Sequence, residues 1–288
     1  MEFVPLEELT HRIEALQERL TSHDLNGMLL MQNVDLFYFT GTVQNGILFV
    51  PSAGAPLFMV RKSLTRARIE SPLEAIIPLD SFRQAPDLIR SHGNETIGRL
   101  GLELDVLPTA LYERMSEVFS DANFVDASGL IRQLRAKKSP YEIGMMQGAA
   151  AQLAAGFDAL RSVIREGMRE IEICAELEAV LRRERHQGVV RARRWNMELW
   201  YGAVSIAGNA SYPVSFDGPV GVTGLYPAVP QSGGERRLRR GEPIVVDIVG
   251  GHAGYLVDKT RVFSLGEPDQ RYRELYELAL AVEARIEK

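Results

Sequence analysis

Gly241-Glu242-Pro243-Ile244-Val245-Val246-Asp247-Ile248-Val249 runs through Gly250-Gly251-His252-Ala253-Gly254 into Tyr255-Leu256-Val257-Asp258-Lys259-Thr260-Arg261-Val262-Phe263. Two β-rich runs around a glycine-rich centre have the pattern of a hairpin. A four-residue loop over 251–254 pairs Gly250 with Tyr255 and sets Asp247 opposite Asp258 on one face. Opposed residues hold their Cβ atoms about 4.5–5.5 Å apart, and like charges placed so destabilise a sheet. Val245, Val249 and Leu256 share the face, so the pair is partly withdrawn from water and needs a shared proton or a bound cation to offset its repulsion. Two divalent ions about 3.5–4 Å apart fit between such ligands when other groups complete their shells. A different loop length, or a bulge, would instead turn one aspartate to solvent. A proton-sharing acid/base pair is a third reading, weakened because the second member of such a pair normally comes from a distant segment.

Upstream of the hairpin, residues 208–234 are rich in Gly, Pro and Ser without periodicity, as in a long loop, and 199–209 reads as extended. Further back, Ser139-Pro140-Tyr141-Glu142 supplies an N-cap serine, a proline at the first helical position and a glutamate three residues after the cap. Ile143, Met146, Ala150, Leu153, Phe157 and Leu160 continue that helix, and Gly167 separates it from another over roughly 168–185. The first 130 or so residues alternate helical and extended patterns: Leu6, Leu9, Ile13, Leu16 and Leu20 at helical spacing, then short apolar runs at 27–31, 46–50, 56–60 and 97–102. The expected division is an α/β domain over 1–133 and an α+β domain over 139–288, with the boundary near Arg135-Ala136-Lys137-Lys138.

The chain of 288 residues is 45% hydrophobic and 25% charged, in the soluble globular range, and carries a net charge of −5. That balance gives no electrostatic reason to seek nucleic acid or anionic membrane. One cysteine, Cys174, excludes an internal disulfide and a cysteine-built zinc cluster, and its place in a helical pattern makes it a small buried residue rather than a nucleophile. Neither a signal-like N-terminus nor a run of ~18 apolar residues is present, so the expected compartment is the cytoplasm.

Asp247 and Asp258, the second within Asp258-Lys259-Thr260-Arg261, resemble the Asp…Asp-x-Thr-Arg pattern of the pita-bread metallopeptidases: prolidase, aminopeptidase P and the metal-independent creatinase. Tyr38-Phe39-Thr40-Gly41 resembles the creatinase-type N-terminal domain, and residues 134–143 resemble the junction into the catalytic domain. The resemblance implies a creatinase-type α/β domain followed by a pita-bread catalytic domain of which the first half is present. It implies two divalent ions, manganese, cobalt or zinc, bound by Asp247 and Asp258, with Thr260 hydrogen-bonding a carboxylate from behind. It further implies hydrolysis of Xaa-Pro peptides by a cytoplasmic homodimer.

Two departures accompany the resemblance. The family's remaining ligands, one His and two Glu, fall beyond residue 288, which implies a partial site and an inactive chain. His252 does not substitute, lying five residues from Asp247, roughly 16 Å along a strand. In Tyr226-Pro227-Ala228-Val229-Pro230-Gln231 relatives commonly place a His where Gln231 stands. An amide can donate to an oxyanion or contact substrate but cannot exchange protons near neutrality. The alternatives are a non-catalytic peptide- or protein-binding relative and a creatinase-like amidinohydrolase. Tyr272, Leu275, Leu278, Val282 and Ile286 keep helical spacing with no terminating residue, from which an exposed apolar patch and poor autonomous stability are expected.

The arginine runs at 182–194 and 236–240 lack a nucleic-acid motif and read as solvated faces or subunit contacts. The glycines at 208 and 218–221 match no phosphate-binding fingerprint, and Ser205, Ser211 and Ser215 lack a nucleophile-elbow pattern.

Overall fold

A computed structural model describes residues 2–95, 97–214 and 220–287; Ser215 and Gly218 fall outside them. The chain forms two compact units, Met1–Tyr141 with Arg191–Met197, and Glu142–Val190 with Glu198–Lys288.

Unit 1 is built on a six-stranded sheet of β1 (Gly27–Leu30), β2 (Gly46–Pro51), β3 (Leu57–Val60), β4 (Ile76–Pro78), β5 (Arg99–Leu102) and β6 (Asn123–Asp126), in the order β4-β3-β2-β1-β5-β6. β1 runs antiparallel to β2 and parallel to β5, which is in turn parallel to β6. Every residue of β1, β2 and β3 is buried, the reason these strands read as continuous apolar runs and not as alternation. Met28, Leu30, Leu48, Val50 and Phe58 lie on one face with α1 (Leu6–Ser22), α2 (Asn33–Thr40), α3 (Leu64–Glu70) and α6 (Ser128–Ala136). Leu29, Ile47, Phe49, Leu57 and Met59 lie on the other with α4 (Ala85–Ser91) and α5 (Thr109–Val118). A fully buried side chain of this size contributes about 1.5–3 kcal/mol, so the two cores account for the layering.

Unit 2 places α7 (Pro140–Val163) and α8 (Glu170–Arg183) against a three-stranded antiparallel sheet of β7 (Gly202–Ile206), β8 (Pro243–His252) and β9 (Tyr255–Ser264). α8 starts at Glu170, where the Arg169 amide donates to Glu172 Oε2 at 2.7 Å. Ile244, Val246 and Ile248 of β8 point into a core with Leu153, Phe157, Ile173, Leu177 and Leu181. Their alternates Val245, Asp247 and Val249 lie on the opposite, half-buried face. α9 (Gln270–Ile286) follows and has no buried residue, with Leu275, Leu278, Val282 and Ile286 all exposed.

Candidate metal centre

The hairpin forms, with a register different from the expected one. Its loop is two residues, not four: Ala253 and Gly254 adopt φ of 48° and 87°, the left-handed pair of a type I′ turn, whose twist matches that of the flanking strands. His252 therefore pairs with Tyr255, Asp247 opposes Thr260, and Asp258 opposes Val249. The aspartates are diagonal neighbours on one face and not directly opposed, roughly 7 Å apart by ordinary sheet geometry.

The error has a physical source. Gly250 and Gly251 belong to the strand because helix α7 and the residues after α8 approach too closely for side chains. A Cβ on Gly250 would lie 2.4 Å from the Ala149 carbonyl oxygen, and one on Gly251 3.1 Å from His186 Nε2. Glycines read as turn formers are close-packing positions. His252 is likewise the last residue of β8 and not a turn residue, and its ring packs against α7 at Gly148.

The Thr260 hydroxyl donates to Asp247 Oδ1, which fixes one carboxylate oxygen. Asp258 is open to solvent on one side, yet partial burial, then the Asp247 charge, raises its pKa above the ordinary carboxylate value. The Lys259 amide opposes that rise. Asp258 thus feels Asp247 across the diagonal. Gln231 is off the sheet, next to Ser232, which makes an isolated bridge to Ala203 of edge strand β7, and Ala203 pairs with Asp247. The Gln231 amide Nε2 donates to the Glu198 carbonyl at 3.0 Å.

The hairpin is pinned from behind by residues absent from the sequence reading. His186 is buried, its Nδ1 accepts from the Gly188 amide at 3.0 Å, and Nε2 therefore carries the proton donated to the Val249 carbonyl at 3.1 Å. Burial lowers the His186 pKa, which keeps the ring neutral for this role. The Gln152 Oε1 accepts from Gly251 N at 3.0 Å, and Gln187 Oε1 from Gly254 N at 2.8 Å. His186 sits within an arginine-rich run, so its sequence surroundings suggest a basic surface and conceal a buried acceptor–donor relay. Cys174 is buried, its thiol pushed up to about 12 chiefly by that burial, as its helical setting predicts. Among the described residues no group of three or more His, Cys, Asp or Glu converges on one point, and no helix is long and apolar enough to cross a membrane.

The sequence matches the Creatinase/Prolidase N-terminal domain over residues 12–137 and Metallopeptidase family M24 over residues 144–288. The chain belongs to metallopeptidase family M24. Its fold is the creatinase-type N-terminal domain followed by the pita-bread domain of M24 enzymes. It is similar to an Xaa-Pro dipeptidase of Pyrococcus horikoshii, 22% identical over 96% of this chain and 70% of that protein. An uncharacterized peptidase of Bacillus subtilis, YqhT, is 25% identical over 95% of this chain and 70% of its own length. The solved Xaa-Pro dipeptidase from Bacillus anthracis superimposes with a TM-score of 0.78 at 24% identity, covering 96% of this M24 chain and 71% of its own.

Proposed function

We propose that this M24 chain carries the first two metal-binding carboxylates of an Xaa-Pro-directed peptidase, Asp247 and Asp258. The observation supporting the reading is the placement of both carboxylates on the outer face of the hairpin: burial and then the Asp247 charge raise the Asp258 pKa, and Thr260 orients Asp247. All-oxygen donors with one carboxylate held by a hydroxyl fit a hard or borderline divalent cation such as manganese, cobalt or zinc. Two such ions, when bound, would lower the pKa of a water and polarise the scissile carbonyl. The chain's own residues orient the ligands: Thr260 sets the Asp247 carboxylate, and His186 holds β8 through Val249. Gln231, once released from the Glu198 carbonyl, is placed in this reading as a donor to substrate or to a developing oxyanion, without proton transfer.

Among the described residues no third His, Cys, Asp or Glu joins this pair, so the chain alone is expected to be inactive. A homodimer in the cytoplasm completes the reading, and sedimentation velocity checks the dimer. The decisive measurement is metal content and Xaa-Pro dipeptide hydrolysis, with manganese or cobalt, for this chain and for one extended to the length of its relatives with the missing His and Glu. The expected result is weak metal binding and no turnover by the short chain, with turnover by the extended one that Asp258→Asn abolishes. Turnover by the short chain, lost on Asp258→Ala, would overturn the partial site. An extended chain that takes up two ions and leaves every Xaa-Pro peptide intact would overturn the substrate class. Gln231 favours a second reading, peptide binding without hydrolysis, since its amide cannot relay a proton; an extended chain that binds the peptides without metal supports that reading.

A further inference from the structure

The sheet of unit 1 changes its winding direction between β1 and β5. The chain passes from β1 to antiparallel β2 on one side, while β5 and β6 add parallel to β1 on the other. The carboxyl ends of β1, β5 and β6 share one edge, and in open α/β sheets the crevice at such a switch point is where ligands bind.

Three carboxyl groups meet at this edge. Asp35 comes from the first turn of α2, Glu103 directly follows β5, and Asp105 lies two residues on; Asp35 and Glu103 are both 0% exposed. Glu103 Oε2 accepts the Met31 and Gln32 amides at 2.7 and 3.1 Å, spanning the β1–β5 crevice. The other side of the Glu103 carboxyl faces Asp35, to which it hydrogen-bonds.

A guanidinium occupies the edge. Arg193 Nε donates to Asp35 Oδ2 at 2.7 Å, Nη1 donates to Asp105 Oδ2, and Nη2 is buried without a partner. Arg135 Nη1 reaches Asp35 Oδ1 at 2.9 Å and Arg132 Nη1 reaches Asp105 Oδ2 at 3.1 Å, both from α6. Arg193 arrives from far along the chain, on the segment Arg191–Met197 that belongs to unit 1 although the M24 match spans it. The segment presents Trp195 at 79% exposure, followed by Asn196 at a φ of 55°.

We propose that the carboxyl ends of β1 and β5 form a guanidinium-binding site, made of Asp35 and Asp105 with Glu103 behind Asp35, which Arg193 fills here and which accepts a free alkylguanidinium when Arg193 is withdrawn. The site is a latch on the segment bearing Trp195. Two acceptors on separate elements, meeting Nε and Nη1 of one planar group, match the rigid fork of a guanidinium. A lysine ammonium, a point charge with freely rotating donors, cannot satisfy both with the same geometry. Isolated acidic clusters are common on surfaces; here Asp35 is fully buried and its two carboxylate oxygens are each met by a guanidinium, from Arg193 and from Arg135. The proposal is independent of the metal reading, since it lies in unit 1 and involves none of the hairpin residues.

The test uses the whole 288-residue chain with Arg193→Ala and compares methylguanidinium with methylammonium chloride at equal ionic strength. A site with a Kd near about 1 mM predicts a rise in Tm of about 3–6 °C at tenfold excess of methylguanidinium. It predicts a response at least several-fold smaller to methylammonium, and little response of the unsubstituted chain, whose site is filled. Adding Asp35→Asn to Arg193→Ala removes the selectivity. Equal responses to both cations, or the same response in the unsubstituted chain, overturns the proposal. If Arg193→Ala does not fold, its refolding yield is measured with each cation, and Arg193→Lys is titrated in the same way. Recovery or stabilisation by methylguanidinium alone supports the site, and none, or equal effects, overturns it.

Discussion

Glu103 is fully buried beside a second carboxyl group, Asp35. Burial, then the neighbouring Asp35, raises its pKa well above the ordinary 4.5, while the Met31 and Gln32 amides oppose the rise without reversing it. The folded state therefore holds a proton that the unfolded chain releases at lower pH. Its stabilising effect is complete below the ordinary carboxylate value and is lost as pH climbs through the raised pKa. Glu103→Gln supplies a permanent N–H toward Asp35 and keeps an oxygen for the two amides. Its stability at neutral pH is expected to lie within about 1 kcal/mol of the parent, with the loss on rising pH reduced. Glu103→Ala leaves two part-buried amides unpaired and opens a cavity, and is expected to cost about 2–4 kcal/mol. Urea titrations of the three chains from about pH 4.5 upward to about 9 decide the matter; parallel pH profiles for parent and Glu103→Gln would place the titration elsewhere. None of this is legible in Leu102-Glu103-Leu104-Asp105, which reads as an ordinary acidic loop, because the partners are 71 and 72 residues away.

At the scale of elements, the sequence reports what local chemistry controls. The apolar runs that became β1, β2, β3 and β5 are visible because both faces of the sheet are covered. β4 and β6 are not, since they are sheet edges, one three residues long and ending in Pro78, the other Asn123-Phe124-Val125-Asp126. The hairpin was legible and its register was not, because Ala253 at a positive φ conceals a turn that Asn-Gly would have announced. The placement of both aspartates on one face survives the shift, since a two-residue change in loop ends preserves the alternation. Two substitutions test this account. Ala253→Asn relieves the left-handed strain and is expected to stabilise by about 0.5–1 kcal/mol. Gly250→Ala drives a methyl to within 2.4 Å of the Ala149 carbonyl, for an expected loss of about 2–3 kcal/mol. A turn-forming role for Gly250 would instead leave its alanine variant close to neutral in the same denaturant titrations.

At the scale of the molecule, unit 1 is not a continuous stretch of sequence, and that discontinuity has an energetic consequence. A chain ending at Tyr141 retains all six strands, all six helices and the three carboxyl groups, and lacks only Arg191–Met197. Asp35 then keeps Arg135, itself one-third exposed, and loses the far more buried Arg193. Removing one partner of a buried ion pair is commonly worth about 3–5 kcal/mol, chiefly because the other charge stays desolvated. The shortened chain should therefore be the less stable form of this unit, and it should respond differently to Asp35→Asn. In the full chain the substitution strands Arg193, and in the fragment it removes a charge that had too few partners. The full chain is expected to lose about 2–3 kcal/mol more than the fragment on this substitution. Hydrogen exchange at the Met31 and Gln32 amides, which Glu103 accepts in both forms, reads the stability of unit 1 without interference from unit 2. Equal losses in the two chains would mean that Arg193 rests on the carboxylates without stabilising them, and a larger loss in the fragment would assign Asp35 wholly to Arg135.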